Sequence, residues 1–94
     1  MELGKDTYVN GQKSYEVKGD ILTFYYKDGS VRAEGGYENG KMQGKWTFFR
    51  ATGQLWEIGH MKDDIKEGSW VRYDRNDNVE LDEFYKNGKK VKKQ

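Results

Sequence analysis

Residues 44–67 decide the fold: Gly44-Lys45-Trp46-Thr47-Phe48-Phe49-Arg50-Ala51-Thr52-Gly53-Gln54-Leu55-Trp56-Glu57-Ile58-Gly59-His60-Met61-Lys62-Asp63-Asp64-Ile65-Lys66-Glu67. Laid without gaps over residues 20–43 and 68–91, this stretch meets the same chemistry at the same places, a period of 24 residues. The third position reads Leu22, Trp46, Trp70, and the sixth Tyr25, Phe49, Tyr73. The tenth reads Gly29, Gly53, Asp77, and the twelfth Val31, Leu55, Val79. The sixteenth reads Gly35, Gly59, Glu83, the eighteenth Tyr37, Met61, Tyr85, and the twenty-first Gly40, Asp64, Gly88.

Each unit carries two turn signals. The first is Asp28-Gly29, Thr52-Gly53 and Asn76-Asp77; the second is Asn39-Gly40, Asp63-Asp64 and Asn87-Gly88. Asn-Gly and Asp-Gly suit a type I′ hairpin turn, whose two central residues need positive φ. Between the turns lie aromatic and β-branched runs such as Leu22-Thr23-Phe24-Tyr25-Tyr26 and Trp70-Val71-Arg72-Tyr73. Each unit therefore reads strand, turn, strand, turn, and three units predict an antiparallel meander of about six strands. The aromatic positions three and six differ in parity, which predicts a bulge or sharp twist after the first of them. The glycines at position sixteen predict a neighbouring ring lying over the strand. Trp46, Trp70, Tyr25, Phe49, Tyr73, Tyr37 and Tyr85 are expected to stack into a thin core. At the N-terminus, Tyr8-Val9-Asn10-Gly11 matches the Tyr-x-Asn-Gly of Tyr37–Gly40 and Tyr85–Gly88 with about five extra residues. That predicts a degenerate capping hairpin over 1–19, with an irregular link around 12–19. The whole is one repeat domain, 1–94, with units 20–43, 44–67 and 68–91 and a basic tail over 86–94.

The composition agrees with a thin architecture. Of 94 residues, 34% are hydrophobic, 35% charged and 15% aromatic, with a mean hydropathy of −1.14. That is too polar for a thick core and too aromatic for a disordered chain. With no cysteine there is no disulfide framework, thiolate metal site or cysteine nucleophile. Met1–Asp6 shows no signal-peptide pattern and no apolar run reaches membrane-spanning length, so a cytoplasmic location is expected. Net charge is +1, which does not point to nucleic acid. Five of the 17 basic residues, Lys86, Lys89, Lys90, Lys92 and Lys93, follow the last acidic one. Such a tail reads either as a solvated end that discourages edge pairing or as a site that touches anionic lipid or nucleic acid.

Gly44-Lys45-Trp46-Thr47-Phe48-Phe49, Thr52-Gly53-Gln54-Leu55, Gly59 and Met61 resemble the variant class of MORN repeats. Gly68-Ser69-Trp70-Val71-Arg72-Tyr73 and Tyr85-Lys86-Asn87-Gly88 match that pattern again. The chain departs from it at Asp64, Asp77 and Glu83, and Asp20-Ile21-Leu22 stands in place of the first Gly-Lys-Trp. The resemblance implies an all-β fold, a single-layer antiparallel meander sheet of stacked 24-residue hairpin repeats. It also implies a binding role without a catalytic centre or cofactor. Bacterial members of the variant class include antitoxins and immunity proteins, so the implied partner is a protein, a toxin among the candidates. The alternative is a scaffold that binds anionic lipid or self-associates, as a monomer or an edge-paired homodimer.

The residues themselves offer no constellation for catalysis. His60 is the one histidine, and no nucleophile-elbow motif accompanies Ser14, Ser30 or Ser69. His60, Asp63, Asp64 and Glu67 have a metal-like spacing, but Asp63-Asp64 occupies a turn position, so a turn is the better reading. Recognition is more legible where one unit breaks from its neighbours. By strand alternation Trp56, Ile58 and His60 share a face, where the flanking units carry Arg32, Glu34, Gly36 and Glu80, Asp82, Phe84. That patch reads either as an interaction site or as a face that packs against the N-terminal segment or simply extends the core. Position five, Phe24, Phe48 and Arg72, continues the patch if the bulge turns it that way.

Overall fold

The computed structural model describes residues 3–92, and the secondary structure among them is β-strand without helix. The strands are β1 (Tyr15–Lys18), β2 (Ile21–Tyr25), β3 (Val31–Glu38), β4 (Lys41–Phe49), β5 (Leu55–Lys62), β6 (Ile65–Lys66), β7 (Gly68–Tyr73), β8 (Val79–Lys86) and β9 (Lys89–Val91). All pair antiparallel in one sheet whose order follows the chain, with β6 beside β5. β6 and β7 are one long strand interrupted at Glu67, the counterpart of β4 one unit earlier. The three units thus supply the six expected strands, and β1 and β9 extend the sheet at either side. Local pairing everywhere leaves a thin slab of 46 × 35 × 19 Å.

The two turn signals fold differently. In the second turns both central residues have positive φ: Asn39 and Gly40 at 52° and 76°, Asp63 and Asp64 at 51° and 69°, Asn87 and Gly88 at 52° and 81°. These are type I′ turns as expected, Asp63-Asp64 included. In the first turns only Gly29, Gly53 and Asp77 have positive φ. There the amides of Tyr26, Arg50 and Asp74 donate to the carbonyls of Ser30, Gln54 and Asn78. These are three-residue loops closed by a left-handed residue, not the type I′ turns that Asp-Gly suggested.

The expected bulge sits between positions five and six. Register shifts at Phe24/Tyr25, Phe48/Phe49 and Arg72/Tyr73. In each case the extra residue lies in the partner strand, at Arg32, Trp56 and Glu80. This bulge re-aims the side chains around it and adds right-handed twist, and a separate register shift lies at Gly35/Gly36, opposite Gly44 and Lys45.

The N-terminal segment repeats the first turn, not the second. Tyr8 N donates to Gln12 O and Gly11 N to Tyr8 O, the pattern of Tyr26–Ser30. The Tyr8 hydroxyl reaches Tyr25 O at 2.5 Å, as the Tyr26 hydroxyl reaches Phe49 O at 2.7 Å one unit on. Gly11 therefore corresponds to Gly29, eighteen residues later, and this unit is six residues short where the others carry a long second hairpin. Residues 12–19 hold β1, paired with β2 through a tight turn at Gly19-Asp20, in place of the expected irregular link. The match to Tyr-x-Asn-Gly misleads because Asn-Gly serves both turn types.

The core is a ladder of rings on one face. Tyr15, Phe24, Trp46, Phe48, Trp70 and Tyr85 follow one another with centroids 5.7–6.4 Å apart. Tyr25, Phe49 and Tyr73 have no place in that series, contrary to the expected core. Positions three and five alternate correctly along a strand, whereas position six lies beyond the bulge. Leu22, Ala33, Trp46 and Trp70 are buried, and Leu3 packs over the Leu22–Trp46 cluster.

The glycines at position sixteen admit that ladder. A Cβ on Gly35 would fall 2.4 Å from the Trp46 ring, and one on Gly59 would fall 2.4 Å from the Trp70 ring. Each indole N–H then donates to the next carbonyl, Trp46 Nε1 to Gly36 O and Trp70 Nε1 to His60 O, both at 3.0 Å. Where position sixteen carries a side chain the partner changes. Val17 pairs with Leu22, not with a tryptophan. At the far side Glu83 occupies the place, its carboxylate 2.8 Å from Lys90 Nζ.

Candidate functional site

The bulge at Trp56 decides the site. Strand alternation puts Phe48, Glu57, Arg72 and Leu81 on the ladder face, as the pairs Phe48↔Glu57, Glu57↔Arg72 and Arg72↔Leu81 require. Trp56 precedes Glu57 and by simple alternation would point away. As the extra residue it turns to the ladder face, where its ring stacks under two guanidiniums. Arg50 Cζ is 5.7 Å and Arg72 Cζ 5.5 Å from its centroid. Arg72 is held in turn by Glu57, Nε to Oε2 at 2.9 Å. Arg50 donates from Nη2 to Tyr73 O at 3.0 Å, and its Nε is buried with no hydrogen-bond partner.

Trp56, Ile58 and His60 therefore do not share a face, contrary to the alternation argument. Ile58 pairs with Thr47 and Val71 on the opposite surface, and Phe84 stands beside Val91 there. His60 Nδ1 lies 3.1 Å from Ser69 O. Phe24, Phe48 and Arg72 join Trp56 on the ladder face, as the alternative left open by the bulge allows. Phe24, Phe48 and Trp56 line a hollow of about 280 Å³ together with Ala33, Met42, Trp46 and others, while Arg72 lies outside it. Trp56 also walls a shallower depression of about 500 Å³ lined by Arg50, Arg72, Arg75, Asp74 and Glu80. Half-buried Trp56 is thus a ridge between an apolar hollow and an arginine-lined one.

Sequence reasoning missed Arg32, Arg50 and Arg75. They sit at positions thirteen, seven and eight, where the neighbouring units carry Trp56 and Glu80, Tyr26 and Asp74, Lys27 and Ala51. The same departure from the repeat that singled out Trp56 marks them. The arrangement offers an apolar pit, an aromatic edge and fixed positive charge, which is binding chemistry.

The lysines of 86–92 are not a free tail. Lys86 ends β8 and Lys89 and Lys90 belong to β9; Lys92 follows the strand, and Lys93 lies outside the described residues. The Lys90 ammonium and then the Tyr85 hydroxyl hold the Glu83 carboxyl below its ordinary value, and the same contact raises Lys90. Lys86, Lys89 and Lys92 are exposed. Among the described residues no three His, Asp or Glu side chains gather to hold a metal.

Compared with known families, the chain matches the model described as the MORN repeat variant over residues 21–39, 42–63 and 66–87. No curated protein and no solved structure matches it. MORN repeats are in general protein- or membrane-interaction modules, and the family is in general non-enzymatic. With three matches spread over more than half its length, in register with three hairpin units of one meander sheet, the chain belongs to the MORN repeat variant family.

Proposed function

We propose that this protein is a non-enzymatic binding module that engages a partner protein through the ladder face around Trp56. The observation that carries the reading is the local break in the repeat. Ladder rings recur in every unit, whereas the bulge position carries an indole in the second unit alone, set between Arg50 and Arg72, where the other units have Arg32 and Glu80. Aromatic and arginine side chains are the usual anchors of protein interfaces. The biological role proposed is of antitoxin or immunity type in the cytoplasm, with a toxin as the partner bound, which rests on the family alone.

The test is co-expression with the product of the adjacent gene, followed by an affinity measurement on the isolated pair. Rescue of toxicity and a Trp56→Ala variant that folds but binds about tenfold more weakly support the reading. A folded Trp56→Ala variant with unchanged affinity removes Trp56 from the interface.

A second reading, binding to anionic lipid, draws on the exposed Lys86, Lys89 and Lys92 clustered on the last hairpin. Each such cation near an anionic surface contributes about 1 kcal/mol and is screened by salt. Flotation with phosphatidylserine vesicles at low salt, abolished by Lys→Gln changes at these three positions, supports it; no flotation ends it.

A further inference from the structure

The ladder-face groove also specifies the chemistry of what it binds. Three guanidiniums around it, those of Arg32, Arg50 and Arg75, have no ion pair among the described residues. Arg32 stacks on Phe24 with Cζ 5.3 Å from the centroid, at one rim of the apolar hollow. Arg50 and Arg75 line the other side of Trp56 together with Ala51 and Thr52. Of the nearby acids, Glu57 is held by Arg72 and Asp74 by the backbone amides of Asn76 and Asn78, and Glu80 lines the depression beside Arg72.

Resting on the reading that this face binds protein, we propose that the groove takes an acidic, extended peptide segment of the partner, seating one apolar side chain in the hollow beside Trp56 and a neighbouring carboxylate on Arg50 and Arg75. The hollow, at about 280 Å³, suits a single large side chain more than a whole small-molecule ligand. A carboxylate is the simple acceptor for a guanidinium. A nucleic-acid strand fits less well, because the three guanidiniums stand on either side of Trp56 and do not form the row that a run of phosphates meets. A bilayer surface fits less well, because the apolar part is a recess, not a protruding edge.

The experiment pans a display library of random dodecapeptides against the immobilised full chain, with Arg75→Glu and Trp56→Ala in parallel. Arg75 is exposed, so its replacement leaves the ladder intact, and the Trp46 and Trp70 indole resonances report the fold. The expected result is enrichment of an aromatic or leucine residue beside aspartate or glutamate. The selected peptide, made synthetically, should lose about tenfold in affinity when its acids become amides, and again on Arg75→Glu. It should also shift the Trp56 indole resonance. No enrichment, enrichment without acids, or equal binding to Arg75→Glu overturns the proposal. So does preference for oligothymidylate or phosphatidylserine vesicles over the peptide at the Trp56 indole. A partner protein whose binding falls with Trp56→Ala but not with Arg75→Glu overturns the acidic-peptide inference while leaving the protein-binding reading standing.

Discussion

Gly59→Ala should loosen the whole C-terminal half of the sheet through one methyl group. Gly59 has ordinary negative φ, so alanine fits its backbone and any loss comes from the ring above it. The new Cβ would lie 2.4 Å from Trp70 Cδ2 and Cε2, well inside contact distance. Trp70 is buried, so its indole must slide off the strand, and the bond from Nε1 to His60 O at 3.0 Å goes with it. Overpacking of this kind costs about 1–3 kcal/mol, and a lost hydrogen bond about 1 kcal/mol. Replacing glycine returns roughly 0.4–1 kcal/mol by restricting the unfolded chain. The net loss is about 2 kcal/mol, a fall in melting temperature of roughly 10 °C for a domain of this size. Urea denaturation followed by tryptophan fluorescence and near-UV circular dichroism measures it. The sharper arm is the pair Gly59→Val with Trp70→Leu, which rebuilds the Val17–Leu22 pair found in the N-terminal unit. The double variant should be more stable than the sum of the single losses by at least about 1 kcal/mol. A Gly59→Ala loss below about 0.5 kcal/mol, or strict additivity in the pair, would refute the claim that glycine is there to admit the ring.

Asp64 should make the protein acid-sensitive. The Met42 N–H, donating at 2.6 Å, holds its carboxyl below the ordinary value of 3.8, so the charged form is favoured in the folded state. That stability is present above 3.8 and is lost as pH falls through the lower folded value, so acid unfolding of Asp64→Gly should be flatter below pH 3.8 than that of the parent, checked by circular dichroism. Trp46→Ala, emptying a fully buried site, should cost about 3–5 kcal/mol, and half-buried Trp56→Ala less than half as much; equal losses in urea melts would contradict the division between ladder and ridge. Sedimentation should show a monomer, because the edge strand β9 is three residues long and bears Lys89 and Lys90; concentration-dependent dimers would show that this edge does pair.

Much of the fold was legible because a repeat is a strong constraint. Seven positions recurring at one period set the strand boundaries, the second turns and the reason for Gly35 and Gly59 without any long-range information. The candidate site was legible only in part. Trp56 stands out as a residue that breaks its column, and the bulge on which the place of Phe24, Phe48 and Arg72 depends brings them to its face. Unbroken alternation through β5 would group Ile58 and His60 with it, and the bulge at Trp56 breaks that alternation. The N-terminal unit was misaligned for a related reason. Asn10-Gly11 satisfies the local chemistry of either turn, and only hydrogen bonds from Tyr8 to Gln12 and Tyr25 separate the two.

The sequence by itself determined the meander, its period, its thinness and the spacing of its rings, because these follow from side-chain periodicity and local turn chemistry. Tertiary structure alone decided which face each residue of β5 presents. A bulge is chosen by the fit of two neighbouring strands, and the extra residue shifts the parity of the strand there, so Glu57 still meets Phe48 while Leu55 meets Phe49. That single backbone choice moves Trp56 away from Ile58 and His60 and sets it between Arg50 and Arg72, where the binding chemistry lies.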